Sequence, residues 1–171
     1  MNISRAIKAT LSVLIGLSFT FSLNAATSGI ILLSGSQPGI LEITVSSEPS
    51  ATSLPLTTTA TDLKVGTVVE RSNKKDGYKI MLGSANAESA QSATPSFTST
   101  TTGDVLPYSI KYGGAAVTFI GGAPAMVSDV AAKTVNKEGD PKEVTVSFDG
   151  ASAHLTEAIY SDTLTFSIMA K

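Results

Sequence analysis

The chain has 171 residues, with 12 Lys and Arg against 14 Asp and Glu and a formal net charge of −2. No basic stripe is present to follow a phosphate backbone, which argues against nucleic-acid binding. There is no cysteine, which excludes thiol catalysis, cysteine-ligated metal and disulfide stapling, so the fold must be held by its apolar core or by a bound partner.

The first segment reads as a targeting sequence. Arg5 and Lys8 precede Leu11–Leu23, LSVLIGLSFTFSL, an uncharged run of 13 residues. A membrane span needs roughly 20 apolar residues, and LNAAT follows with the small residues that signal peptidase accepts. Residues 1–25 are therefore expected to be a signal peptide cut after Ala25. A cut after Ala26 and a retained anchor are the alternatives. The mature chain of about 146 residues suits one domain and keeps ten basic side chains against 14 acidic ones.

Helical periodicity is nearly absent from the mature chain, and strand signals recur between turn residues. Ser28–Gly35, SGIILLSG, is an apolar run between glycines, set off by Pro38-Gly39. Gly39–Ser46 alternates, with Leu41, Ile43 and Val45 on one face. EPSATSLPLTTTAT reads as loop with one extended stretch around Leu54 and Leu56. DLKVGTVVERS is expected to turn Leu63, Val65, Thr67 and Val69 inward. Asp76-Gly77 is a hairpin signal leading to Tyr78, Ile80 and Leu82.

Residues 85–104 are polar and predict a long loop or a weak edge strand around Phe97. A second hairpin is expected where Leu106, Tyr108, Ile110 and Tyr112 alternate, Gly113-Gly114 turns, and Val117 and Phe119 return. Residues 121–141 read as irregular, with a short helical turn near Val127–Ala132. Val144, Val146 and Phe148 share one face of the next strand. In the last strand Leu164, Phe166 and Ile168 alternate with Thr163, Thr165 and Ser167. Seven or eight such strands predict an all-β fold of two stacked sheets.

Candidate chemistry is thin. His154 is the sole histidine, but no nucleophile elbow or partner at a defined spacing accompanies it. Ser72–Lys75 fits an S-x-x-K spacing and reads as a solvated turn. Glu138, Asp140 and Glu143 lack the loop of a calcium site and are mixed with lysines. Neither a metal nor a cofactor is expected, and the chain is not read as an enzyme. Tyr160, at the entry to the last strand, suits a structural corner in which its hydroxyl bonds back to the backbone. Tyr108 and Tyr112 are spaced for one strand face, as packing residues rather than a sugar platform.

Four features together resemble a subunit of bacterial chaperone–usher pili: the signal peptide, the apolar SGIILLSGSQPGILEITV after it, the cysteine-free β pattern, and the closing Y-S-D-T-L-T-F-S-I. The likeness is to cysteine-free pilins of the colonisation-factor kind and to the spore coat protein U group. The resemblance implies an immunoglobulin-like β-sandwich missing its last strand, with residues 26–37 as an N-terminal extension and 38–171 as the domain. Leu164, Phe166 and Ile168 would line an acceptor groove. Ile31 and Leu33, or Ile30 and Leu32 in the other register, would be donated by a neighbouring copy. The implied partners are other copies or related pilins, a periplasmic chaperone and an outer-membrane usher, and the implied location is the periplasm and then the cell surface.

The residues carry an argument of their own. Four consecutive large apolar side chains at 30–33 invite aggregation in water, and burying two to four of them contributes on the order of 3 to 12 kcal/mol before ordering costs. Two alternatives stand beside this. The segment folds back as the domain's own first strand, or the protein is a self-contained secreted binding module using the 85–104 and 121–141 loops.

Overall fold

Nine strands, one short helix and one 3-10 turn follow one another in the computed structural model, which describes residues 29–171. The expected signal peptide, residues 1–25, lies outside the described residues. Strand β1 is Leu41–Ser47, β2 Thr59–Ser72, β3 Tyr78–Ser84, β4 Ser96–Thr98, β5 Val105–Tyr112, β6 Ala115–Ala116, β7 Ala125–Val130, β8 Asp140–Asp149 and β9 Leu164–Ala170. Helix α1 is Ala85–Ala90, and the 3-10 turn is Pro49–Thr52. The strands form two antiparallel sheets. One runs β1-β2-β8-β5-β4, with β6 also paired to β5, and the other runs β7-β3-β9. Gln37–Lys171 make up one compact unit.

The inward faces of both sheets meet in one core. Tyr78, Ile80 and Leu82 of β3 are sealed from water, as are Leu106, Tyr108, Ile110 and Tyr112 of β5 and Val144, Val146 and Phe148 of β8. These are the alternating sets that the two-residue strand period predicts. Phe97 stacks on Tyr108 with ring centroids 4.2 Å apart and meets Phe148 edge-on at 5.7 Å. Tyr108 and Tyr112 are thus packing residues. Gly113-Gly114, both at positive φ, close the β5–β6 hairpin.

Several expectations are corrected. In β2 the buried positions are Gly66, Val68, Glu70 and Ser72 rather than Thr67 and Val69. The cause is a register shift against β8 between Lys64 and Gly66, which reverses the parity of inward residues along one strand. Asp76-Gly77 does not close a hairpin, because β2 and β3 belong to different sheets. The turn is real: Gly77 sits at φ +88°, and a Cβ there would collide with the Val130 carbonyl.

Residues near Val127–Ala132 are not helical, since Ala125–Val130 form β7 against β3. Leu54 and Leu56 lie in no strand, though they pack on the core. Ser72 is buried, not part of a solvated turn. The strand returning from Gly113-Gly114 is only two residues long, and Phe119 is buried from a loop beyond it. Phe97 does sit on an edge strand, β4, preceded by α1, whose N-cap Ser84 accepts from the Ala87 amide.

The parity reversal in β2 places a carboxylate in the core. Glu70, 0% exposed, accepts from Tyr78 Oη at 2.9 Å and Tyr112 Oη at 2.6 Å, with Ser128 Oγ at 3.4 Å. The cluster spans both sheets, and among the described residues no buried side-chain nitrogen or oxygen lacks a partner. Burial pushes the Tyr78 and Tyr112 hydroxyls above the usual tyrosine range, and the adjacent Glu70 carboxylate pushes the same way. Burial followed by Asp162 does so for Tyr108.

These hydroxyls keep their protons in the folded state at a pH where the unfolded chain has lost them. Their contribution to stability is therefore intact below about pH 10, the unfolded value, and is lost as pH rises beyond it. Thermal unfolding followed from neutral to strongly alkaline pH is expected to show a flat Tm up to about pH 9.5 and a steep fall above it, with Tyr112→Phe reducing the slope. A Tm indifferent to alkali would contradict the buried cluster.

Candidate functional site: a cleft between two strand edges

Cross-strand partners in a ladder point to the same face, so β3 and β9 can be compared rung by rung. Ile80 pairs with Ile168, Leu82 with Phe166 and Ser84 with Leu164. On β3 these side chains are sealed, whereas on β9 all three are only half-buried. The difference lies in the neighbours. β3 has β7 on one side and β9 on the other, while β9 pairs with β3 alone among the described residues. In the facing sheet, β1 likewise pairs only with β2; its Leu41 and Ile43 are half-buried and its Val45 is 50% exposed.

Between these two free edges lies a cleft of about 260 Å³. Val45 and Leu164 stand on its rims with Phe166, and its floor is made by Phe97, Tyr108, Val144 and Val146. These floor residues are core side chains seen from outside, so the cleft is a gap in the hydrophobic layer rather than a surface dent. The lining also includes Ser46 and Ser47 at the end of β1, and Asp162 and Thr163 just before β9. Phe166 reaches across to Tyr112, with ring centroids 5.9 Å apart. Ile168 lies on the same face of β9 but does not line this cleft.

Asp162 is the residue that sequence reasoning missed. Its Oδ1 accepts from the amides of Asn86 at 3.0 Å and Thr163 at 2.7 Å; its Oδ2 accepts from Ser84 Oγ at 2.6 Å and Tyr108 Oη at 2.7 Å. Four donors fill the carboxylate, which ties the start of β9 to α1, β3 and β5. In the sequence Asp162 is one acidic residue among 14, and its distant partners lie 54 to 78 positions away. The only local signal is its place directly before an alternating strand.

Tyr160 Oη lies 2.8 Å from the Thr156 carbonyl oxygen and 3.1 Å from Asp104 Oδ2, one proton facing two acceptors. The Asp104 carboxyl is held below its ordinary range by hydrogen bonds from Thr156 first and then from Tyr160. Ile30, Ile31, Leu32 and Leu33 lie in no strand and are 85–94% exposed. His154 is exposed and has no hydrogen-bond partner among the described residues' side-chain bonds. Asp140 accepts from the Val135 and Asn136 amides and from Asn136 Nδ2, which makes it a turn-closing residue. Among the described residues no cluster of His, Cys, Asp or Glu suits a metal ion. The cleft offers no convergent nucleophile and base.

No protein-family model matches this chain, and no curated protein matches it in sequence.

Asp162→Ala removes four hydrogen bonds to a charged acceptor and leaves Tyr108 Oη without its carboxylate. Hydrogen bonds to charged groups contribute about 1.5–3 kcal/mol each, with part recovered by water at a half-buried site. The variant is expected to lose about 2–4 kcal/mol of unfolding free energy in a denaturant titration. A loss below about 0.5 kcal/mol, the level of an ordinary surface substitution, would show that Asp162 does not hold the β9 wall.

Proposed function

We propose that this protein is a structural subunit of a surface pilus, assembled by strand donation between copies. The observation that carries the reading is the unequal burial across the β3–β9 ladder, where Leu164, Phe166 and Ile168 are only half-buried on a strand that pairs with β3 alone among the described residues.

The strand order supports an immunoglobulin-like sandwich that is one strand short. In that fold one sheet runs A-B-E-D and the other C-F-G. Here β1-β2-β8-β5 corresponds to A-B-E-D and β3-β9 to C-F, and the place of G, beside β9, is empty among the described residues. Filling it from outside is β-strand addition, in which backbone pairing contributes affinity and alternate side chains contribute specificity. The chain carries a suitable segment in Ile30–Leu33, which lies in no strand here and whose four side chains are exposed.

Volumes agree with this pairing. A void of about 150 Å³ holds one six-carbon ring, so a cleft of about 260 Å³ has room for about two branched aliphatic side chains. Four consecutive residues in a strand present two such side chains to one face. The function follows as filament formation with a role in adhesion. A periplasmic chaperone covers the groove before the next copy does, an outer-membrane usher receives the subunit, and the finished fibre stands at the cell surface.

Deleting residues 26–36 is the decisive experiment. The truncated chain is expected to keep its Tm and its binding to a chaperone while losing all polymer in size-exclusion profiles. A drop in Tm would assign the segment to this domain's own first strand. Full-length and truncated chains that are both monomers of equal stability would overturn the reading.

A further inference from the structure

The tail that would be donated joins the domain through Pro38, Gly39 and Ile40, and one side chain holds that junction. Asn73 Oδ1 accepts from the Ile40 amide at 2.6 Å, its Nδ2 donates to the Pro38 carbonyl at 2.8 Å, and its own amide donates to the Ile40 carbonyl at 3.2 Å. Asn73 stands on a fixed base. It follows Ser72, a buried residue whose carbonyl accepts from the Thr134 amide at 2.9 Å and from Thr134 Oγ1 at 3.0 Å.

The junction lies at the end of β1 remote from the cleft. Ile40 faces Asn73 one rung before the Leu41–Ser72 pair, whereas the cleft touches β1 only at Val45, Ser46 and Ser47, of which Ser47 pairs with Gly66. From Leu41 to Val45 the strand advances about 13 Å. To fold back into its own cleft the tail must first reverse, and the shortest common connection takes two residues. With Pro38 held, Ser34–Gln37 alone separate it from Leu33. A two-residue turn leaves two of these, which advance the chain about 7 Å. Gln37 also precedes a proline, which keeps its backbone extended. Leu33 therefore stops short of Val45. With the clasp open, the whole of Ser34–Ile40 becomes linker, and the five residues left after a turn give about 17 Å of reach, enough to bring Leu33 past Val45. The count is the same whichever face of the tail enters.

Resting on the strand-donation reading, we infer that Asn73 is a positioning residue that keeps each tail out of its own cleft and so leaves it for a second copy of the chain. Once a tail can reach its own cleft, the intramolecular contact prevails. A short flexible linker gives an effective concentration of the order of millimolar, about a hundredfold above subunits at ~10 µM. A domain closed on itself is capped and lost to the fibre. The clasp removes that outcome by length alone, with no repulsion at the cleft.

The test compares full-length chains by size exclusion and thermal unfolding. Asn73→Ala opens the clasp, and a Gly-Ser-Gly-Ser insertion after Ser36 lengthens the tail while the clasp stays intact. Both variants are expected to cut the polymer fraction at ~10 µM chain at least about tenfold and to accumulate a monomer. That monomer is expected to keep the same Tm on dilution and to lose several degrees when residues 26–36 are deleted, because the tail has become part of its core. A chain that Asn73→Ala has only weakened shows no such dependence on the tail.

Unchanged polymer in either variant, or a monomer whose Tm ignores the deletion, overturns the clasp and leaves strand donation standing. Absence of polymer from the parent chain overturns strand donation itself.

Discussion

Among the described residues β9 has a hydrogen-bonded neighbour on one side only, and its apolar face is not fully buried. Its partner β3 shows what full coverage looks like: Ile80 and Leu82 are sealed, while Ile168 and Phe166 on the same rungs are not. An uncovered edge also leaves a row of backbone donors and acceptors for another chain to pair with. Proteins usually blunt such edges with charge, proline or a bulge. Over Leu164–Ala170 none of these appears, since the strand reads LTFSIMA with an unbroken seven-rung ladder. The cleft, the half-buried rim and the proposed assembly all follow from this one-sidedness.

With no cysteine to staple the two sheets, polar clusters take over part of the task of fixing their mutual register. Glu70 gathers hydroxyls from β3, β5 and β7, and Asp162 gathers donors from β3, α1 and β5. Both carboxylates accept from several groups at once, which makes them costly to misplace. Apolar packing alone tolerates small slips between sheets, whereas a carboxylate facing two hydroxyls does not. The two clusters share no residue, and Asp162 is among the residues that line the cleft.

The two-residue period made most strands legible. Tyr78, Ile80 and Leu82, the tyrosines of β5 and the valines of β8 all sit on the face their alternation indicates. What the pattern hid has physical causes. The bulge in β2 reverses which residues point inward, and nothing in LKVGTVVERS marks where the parity changes except the glycine at 66. β7 reads AMVSDV, with apolar residues at successive positions 125–127 and so no clear two-residue period. The Asp76-Gly77 turn was readable as a turn, but whether a turn joins neighbours in one sheet or crosses to another depends on contacts with residues far along the chain. For the cleft, Leu164, Phe166 and Ile168 were legible as one face. That the two former line the opening and Asp162 anchors it required the fold.

The position of β1 carries a mechanical meaning. Residues 29–40 lead directly into this strand, which meets β2 through seven antiparallel pairs from Leu41–Ser72 to Ser47–Gly66. Tension transmitted through the N-terminal segment along the strand axis would load those rungs together in shear, instead of peeling them one after another. In the assembly proposed above, a subunit attached through this segment would yield only when the whole ladder slips.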